Sequence, residues 1–378
     1  MGRGNEEAQV RIAQVAPLVE SVPPQLYGGT ERVVSYLTEE LVDLGHRVTL
    51  FASGDSITRA ELVPGSARAL RLGGSADAAD LAHRAMLSEV YRRCRDFDVI
   101  HFHLPGWQLL QPALLTASLA TSHVTTVHEE VEPPKAQATL LDPELRLIAV
   151  SDAQRRLLPT ANWLGTVPHG LPDGLYRPRT TRGSHLTFLG RISPATRVDR
   201  AIEIARRSGL PLKIAAKIDR ADYPYYLTLR EQLRQPFVEF VGEVDEAQKS
   251  ELLAGSVALL FPTDRQEPFG LAMIEAMASG TPVLAWRNGS VPELIDQGVT
   301  GFVINSIEGA VSALSRVEQL DRRLVARVAY QRFGARRMAR DHLRLYARSM
   351  SRDATVHFLS PSPSATDAVA YAAAESAE

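Results

Sequence analysis

Between about residue 10 and residue 345 the chain alternates short runs of apolar, largely β-branched residues with longer stretches in which apolar positions return every three or four residues. The first run, RIAQVAP (11–17), reads as a buried strand. The stretch from Thr30 to Leu44 then carries Val33, Val34, Leu37, Leu41 and Leu44 on one helical face, and Gly45 ends it. RVTLFA (47–52), DVIHF (98–102), HVTTV (123–127) and LRLIAV (145–150) continue the strands, with a charged helix over about 78–95. Strands that are apolar throughout and separated by helices predict parallel sheets covered on both faces.

LPDGLYRPRTTRGSH (171–185) interrupts this pattern; rich in Pro, Gly and Arg and without a period, it reads as a linker. A second series follows, with strands expected at HLTFLG (185–190), LKIAA (212–216), FVEFVG (237–242), VALLF (257–261) and PVLAW (282–286). The expected fold is α/β, with two doubly wound Rossmann-like domains facing an interdomain cleft. The domains span 10–170 and 185–328, joined by the linker 171–184 and followed by a terminal helix over 329–350. Residues 1–9 and 351–378 show no period and are expected to be disordered. Ligands of open parallel sheets lie beyond the carboxyl ends of the strands, which makes the cleft the expected site.

Composition narrows the function. Of 378 residues, 45% are hydrophobic, and 42 basic residues face 44 acidic ones for a net charge of −2, so neither nucleic acid nor an anionic membrane is favoured as main partner. The single cysteine, Cys94, excludes an internal disulfide framework and a cysteine-based metal cluster. No segment has the length and apolarity of a signal peptide or a membrane span, and the reading is a soluble cytoplasmic protein.

The most informative stretch is RQEPFGLAMIEAMASGTPV (265–283). Glu267 falls in the loop after a strand, Pro268 and Gly270 open a helix, and Glu275 lies within it. Apart from Glu275 and Ser279 that helix is apolar or small on every side, which predicts burial all round. A buried carboxylate needs donors. Vicinal sugar hydroxyls would serve, and so would an internal cation. The free N–H groups of Phe269, Gly270 and Leu271 suit an anionic or hydroxylated ligand. Tyr27-Gly28-Gly29-Thr30 joins the first strand to the first helix, where glycines allow close approach of backbone to ligand; a capped structural turn would use the same residues. Arg191, in FLGRIS (188–193), ends a strand beside the cleft, placed to pair with a diphosphate. His101 and His103 share one face of a strand; without a third ligand nearby, packing or cleft lining is favoured over a metal pair.

Taken in order, GGTERVV, TTVH, SDAQR, PHGLP, FLGRISP and the paired-glutamate segment EPFGLAMIEAMASGTPV resemble the retaining glycosyltransferases of family 4, also called group 1, over about residues 10 to 345. The resemblance implies the two-domain GT-B fold. It also implies a nucleotide diphosphate sugar held mainly by the second domain, an acceptor held mainly by the first, and no required metal or other cofactor. Carried to this chain, it implies Glu275 on the ribose hydroxyls, Glu267 on the donor hexose, and backbone contacts from Phe269, Gly270 and Leu271. Arg191 would hold the diphosphate, Gly29 would approach it from the other domain, and His128 would reach the donor sugar near the reacting carbon. His128, Glu267 and Arg191 are thus the catalytic candidates, and Tyr27, Glu129 and Glu130 the acceptor-side ones.

The pattern breaks in two places. Where the family continues with lysine and then glycine after G-R-[IL], this chain has Thr196 and Arg197, so a cation of the diphosphate clamp is missing. Arg197 is expected to supply it, with Lys217 as the other candidate. After His128, Glu129, Glu130 and Glu132 replace a short polar turn; they are read as solvated loop acids or as a preference for an aminated acceptor. On the terminal helix, Arg332, Arg336, Arg340, Arg344 and Arg348 recur every fourth residue, and such like charges repel mildly. The family's terminal helix crosses back onto the first domain, so acids there are the simplest partners, with docking to a carrier protein or membrane as the alternative. The function expected is transfer of a hexosyl or N-acetylhexosaminyl group from a nucleotide diphosphate sugar, UDP-sugar favoured, to a small hydroxylated, possibly aminated acceptor with retention. A degenerate nucleotide-sugar-binding partner and a nucleotide-sugar epimerase are the rivals. A nicotinamide dehydrogenase is the weakest, because neither half carries the glycine fingerprint with its ribose-binding acid.

Overall fold

The computed structural model describes residues 9–72, 76–104, 121–131 and 140–359. Seven parallel strands form the first sheet: β1 Arg11–Val15, β2 Arg47–Ser53, β3 Glu61–Ser66, β4 Val99–Phe102, β5 Ser122–Val127, β6 Leu147–Ala149 and β7 Trp163–Thr166, in spatial order 3-2-1-4-5-6-7. Six parallel strands form the second: β8 His185–Arg191, β9 Leu212–Lys217, β10 Val238–Gly242, β11 Ser256–Phe261, β12 Val283–Trp286 and β13 Gly301–Ile304, in order 10-9-8-11-12-13. The order reverses beside β1 in one sheet and β8 in the other, and a crevice opens at such switch points. The helices used below are α1 Gly29–Asp43, α2 Ala76–Arg92, α3 Val198–Ser208, α4 Glu246–Ala254, α5 Leu271–Ala278, α6 Ile307–Val317, α7 Arg322–Phe333 and α8 Ala335–Leu359.

The three strands that the hydrophobic pattern does not announce, β3, β7 and β13, all lie at sheet edges. An edge strand has one neighbour and tolerates polar residues, Gly and Pro; β3 is ELVPGS and only half-buried. Elsewhere burial follows the sequence. α3 buries Val198, Ala201, Ile202, Ile204 and Ala205 while Arg206 and Arg207 face water, and in α5 every residue from Met273 to Ala278 is buried.

The stretch 171–184 is not a loose linker. Leu171 and Tyr176 are each 1% exposed, and Leu171 lies in a bridge with Gly334. Its N–H donates to Phe333 O at 2.8 Å, and Ala335 N–H donates to Leu171 O at 2.8 Å, so the two places where the chain passes between domains are bonded to each other.

The single helix expected over 329–350 is two helices that meet at Gly334, and α8 continues through 351–359 where a disordered tail was expected; residues 360–378, like residues 1–8, lie outside the described residues. α8 packs on α1, β5 and β7, burying Met338, Ala339, His342, Leu345 and Tyr346. Ser349 Oγ lies 2.7 Å from Ser122 Oγ and accepts from Arg146 Nη1 at 2.9 Å. The crossing is thus held mainly by an apolar and hydrogen-bonded face, and of the five arginines Arg336 acts on acids of α1, Glu40 and Asp43, as the electrostatic expectation has it. Arg332, on α7, pairs with Asp296 of the second domain at 2.7 Å, Arg344 pairs with Asp341 of its own helix at 2.6 Å, and Arg336, Arg340 and Arg348 are exposed.

Candidate active site

β8 and β9 run in register to their last residues, which places Arg191 directly beside Lys217 at the floor of the interdomain cleft. Lys217 Nζ pairs with Asp219 at 2.8 Å and lies 5.0 Å from the centre of the Tyr27 ring, a cation–π contact with the first domain. Arg191 lies 3.4 Å from Asp219 and 3.3 Å from Asp222, and its Nε makes no hydrogen bond of good geometry. Above this pair is a cavity of about 390 Å³ lined by both domains. Its walls include Tyr27, Gly29, His128, Arg191, Lys217, Glu267, Phe269, Gly270, Leu271 and Glu275, so the structure brings these sequence-picked residues together.

Two helices begin at the cavity from opposite sides. α1 opens at Gly29, and a Cβ at Gly29 would come 3.7 Å from the Leu271 side chain at the start of α5. Each helix thus offers unpaired N–H groups and its positive dipole end to the same space. Gly270 caps α5 with φ +87°, a left-handed backbone, and a Cβ there would meet Met273 Cε at 2.5 Å. Burial pushes the Glu267 carboxyl up, opposed by Arg265 and reinforced by Glu130.

The Glu267 loop is braced from behind by the turn after β12. Asn288 Nδ2 donates to Thr263 O at 2.7 Å, Ser290 N–H to Glu267 O at 3.0 Å, and Ser290 Oγ to Phe269 O at 2.8 Å. Gly289 has φ +50°, and a Cβ on it would lie 2.3 Å from Glu267 O. Gly289→Ala is therefore expected to push the Glu267 backbone into the cavity, lowering kcat/KM by roughly tenfold to a hundredfold with a smaller effect on stability. Steady-state kinetics beside a thermal melt checks this; unchanged kcat/KM would show that the brace does not position Glu267.

Glu275 joins the two readings considered for it. It lines the cavity, and its Oε1 accepts from Lys249 Nζ at 2.6 Å, both side chains being under 9% exposed. Lys249 also pairs with Glu246 at 3.2 Å, and Glu246 in turn bonds Arg32 of α1 and the Tyr176 hydroxyl. A chain of charge thus links α5, α4, the 171–184 stretch and α1, tying the domains together at the back of the cavity.

Other candidates land elsewhere. Arg197 is absent from the cavity wall, which corrects the expectation that it replaces the missing lysine. Its guanidinium bonds Asp199 at 2.8 Å and Asp264 at 2.7 Å, and its backbone has φ +55°. Thr196, in the lysine position, lines the cavity but donates its hydroxyl proton within its own turn, to Arg191 O at 2.6 Å or Ser193 O at 3.0 Å, and accepts from Ser193 N–H at 3.1 Å. Of the two candidates for the missing lysine, Lys217 is the one on the cavity wall, beside Arg191. Glu130 reaches across the domain boundary, its carboxylate accepting from Arg265 Nε at 3.3 Å and Gln266 N–H at 3.1 Å, so it braces the Glu267 loop. Glu129 lines a smaller chamber of about 190 Å³, with Thr30 and His128 as walls shared with the main cavity. Glu31 also lines that chamber, and burial pushes its carboxyl up to about 7. Glu132 lies outside the described residues.

Residues that sequence reasoning passed over include Lys249, Arg32, Glu246, Arg265, His169 and the Asn288-Gly289-Ser290 turn. Long-range pairing decides the role of the charged ones. The local signal was in three of the stretches already quoted, since Arg32 lies in GGTERVV, His169 in PHGLP and Arg265 at the start of RQEPFGLAMIEAMASGTPV. His101 and His103 are buried and hydrogen-bonded, and among the described residues no group of three His, Cys, Asp or Glu is placed to hold a metal ion.

Comparison with known proteins agrees with this geometry. The family model described as Glycosyl transferases group 1 matches residues 180–331, and that described as Glycosyltransferase Family 4 matches residues 27–167. A phosphatidyl-myo-inositol mannosyltransferase of Mycolicibacterium smegmatis is 26% identical over 362 residues, covering 85% of this chain and 88% of that protein. Among solved structures, AviGT4, a glycosyltransferase involved in avilamycin A biosynthesis, superimposes with a TM-score of 0.70 at 24% identity, covering 90% of this chain and 98% of that one. Anabaena Alr3699/HepE in complex with UDP and glucose does so with a TM-score of 0.71 at 17% identity, covering 90% and 100%. The two family models meet on either side of the cleft, and the chain with this cleft belongs to the group 1 glycosyltransferases of family 4, an enzyme of the GT-B fold.

Proposed function

We propose that this enzyme transfers a hexosyl or N-acetylhexosaminyl group from a nucleotide diphosphate sugar, a UDP-sugar in the first instance, to a small hydroxylated acceptor in the cytoplasm, with retention at the anomeric carbon. The observation that carries the reading is the pair of cations in register, Arg191 and Lys217, set in a cavity onto which two helix N-termini open. Charge develops on the leaving diphosphate as the glycosidic bond breaks. Fixed cations and amide dipoles aimed at that charge stabilise the transition state more than the bound donor. In this reading Glu275, steadied by Lys249, receives the ribose hydroxyls, and Glu267 and the N–H groups after it receive the sugar. The acceptor enters from the chamber beside His128, and its hydroxyl proton passes to the departing phosphate on the same face.

Two of the named comparisons point the same way. One relative is named as a mannosyltransferase acting on a phosphatidyl-myo-inositol, and one structure is in complex with UDP and glucose. Among the described residues no helix is long and apolar enough to cross a membrane. The test is a mass-spectrometric screen of the purified protein against a panel of nucleotide sugars, with and without pooled hydroxylated and aminated acceptors. Acceptor-dependent release of nucleoside diphosphate is the expected result. Donor converted without any acceptor would establish an epimerase instead, and tight donor binding without release a non-catalytic binding partner.

A further inference from the structure

Behind His128 the first domain buries a run of polar side chains that the transfer reaction, as described, does not use. His103 Nδ1 lies 2.9 Å from His128 Nε2, and His103 Nε2 lies 2.6 Å from Gln14 Oε1. Gln14 Nε2 lies 3.2 Å from the Tyr346 hydroxyl, which lies 2.7 Å from His101 Nδ1; His101 Nε2 ends the run 2.7 Å from Thr126 Oγ1. Gln14, His101 and Tyr346 are wholly buried, and His103 and Thr126 are 2% exposed. No carboxylate bonds these three imidazoles among the described residues, and burial first, then the neighbouring imidazoles, keeps each of them neutral, with a single N–H.

With Gln14 Oε1 towards His103, that single N–H sets the direction of the two bonds that reach His128. An amide oxygen only accepts, so His103 donates through Nε2–H to Gln14 Oε1. His103 Nδ1 therefore carries a lone pair, and His128 must donate to it through Nε2–H. On the other side, Gln14 Nε2–H donates to the Tyr346 hydroxyl, which lies against His101 Nδ1, and His101 Nε2 lies against the Thr126 hydroxyl. The remaining nitrogen, His128 Nδ1, is left as a bare acceptor; it is buried and has no hydrogen-bond partner among the described residues, on a ring that lines both chambers. An unmet buried acceptor of this kind calls for a donor from a ligand.

We infer that Gln14 and His103 are positioning residues that lock His128 in the Nε2–H tautomer, so that its Nδ1 selects a donor sugar bearing a hydroxyl or amine proton at the position it meets. The selectivity rests on the proposed glycosyl transfer; the tautomer does not.

Long-range proton–nitrogen NMR on the full chain carrying 15N-histidine reads the tautomer directly, with His128 assigned by its loss in His128→Gln. The expected result is a protonated Nε2 and a bare Nδ1 in the wild type, and averaging between tautomers in His103→Leu. Tyr346→Phe, which keeps the packing, is expected to release His101 in the same manner while His128 stays locked through His103 and Gln14. A proton on His128 Nδ1 in the wild type overturns the inference whether or not the protein transfers sugar. So does a His103→Leu spectrum in which His128 is unchanged; if that variant does not fold, His103→Asn, with a polar side chain closer to imidazole, is measured in its place against the same criterion. The selectivity is read separately, in a monodeoxy series of the donor accepted in the transfer screen. One member is expected to lose about a hundredfold or more in kcat/KM with wild type, and much less with the unlocked variant. A series in which every member loses the same factor with both proteins would overturn the selectivity while leaving the transferase reading intact.

Discussion

Arg191→Ala lowers kcat by about a hundredfold to a thousandfold and moves the melting temperature by only a few degrees: this is the expected outcome of removing one preorganised cation from a site of developing charge. Arg191 is held loosely, at 3.3 to 3.4 Å from two aspartates, with its side chain 36% exposed, so little structure depends on it. Lys217→Ala is expected to cost turnover to a similar degree, because Lys217 shares the strand register with Arg191. The double variant should lose less than the product of the two single losses, since both act on one group. Arg197→Ala is expected to leave turnover near the wild-type value, its guanidinium being bonded to Asp199 and Asp264 outside the cavity. Single-turnover kinetics with the accepted donor checks all of these. Full activity in Lys217→Ala combined with a large loss in Arg197→Ala would reverse the assignment of the second cation.

The second large effect is on stability in mild acid. His101, His103, His169 and His342 are at most 5% exposed, and burial holds each below the usual imidazole range, His342 down to about 4. A group whose pKa is depressed by folding contributes stability that is complete above its unfolded value and is lost as pH falls towards its folded one. Each ring therefore loses stability as pH drops below about 6.5, and for His342 the loss continues to about 4, where it begins to take its proton in the folded state. Glu31, raised to about 7, acts in the opposite sense, as do Glu20, Glu40 and Glu267, whose carboxyls burial also pushes up. Denaturant melts at pH 7, 6 and 5 are expected to show a steep, cooperative loss, mostly before the paired carboxylates begin to titrate. Equal midpoints at pH 7 and pH 5 would contradict the assignment of these rings as neutral in the native state.

Much of the molecule was legible in the sequence because each of its layers obeys a local rule. Central strands are apolar throughout, α3 is amphipathic, and α5 is apolar on every side because it is buried on every side. The candidate site was legible for the same reason: Glu267, Gly270 and Glu275 lie in one continuous segment whose loop-to-helix junction can be read from composition. What stayed hidden needed partners distant in sequence. Nothing near Lys249 announces that it meets a glutamate 26 residues away, and nothing near Gln14 announces Tyr346. Arg197 shows a subtler limit. Its backbone is left-handed, at φ +55°, a conformation that suits glycine and costs a non-glycine residue roughly 1 kcal/mol or more. The side chain that accepts this strain is anchored by two aspartates, so a residue that looked like a replacement cation acts as a local brace.

The two crossings between the domains, bonded to each other at Leu171, Phe333 and Ala335, have a mechanical consequence. A single flexible connection would let one half twist, slide and swing against the other. Two connections side by side behave as the pins of one hinge: they leave a single axis about which the halves swing freely and resist the remaining motions. Every opening then returns the cations on one half and the imidazole on the other to the same alignment.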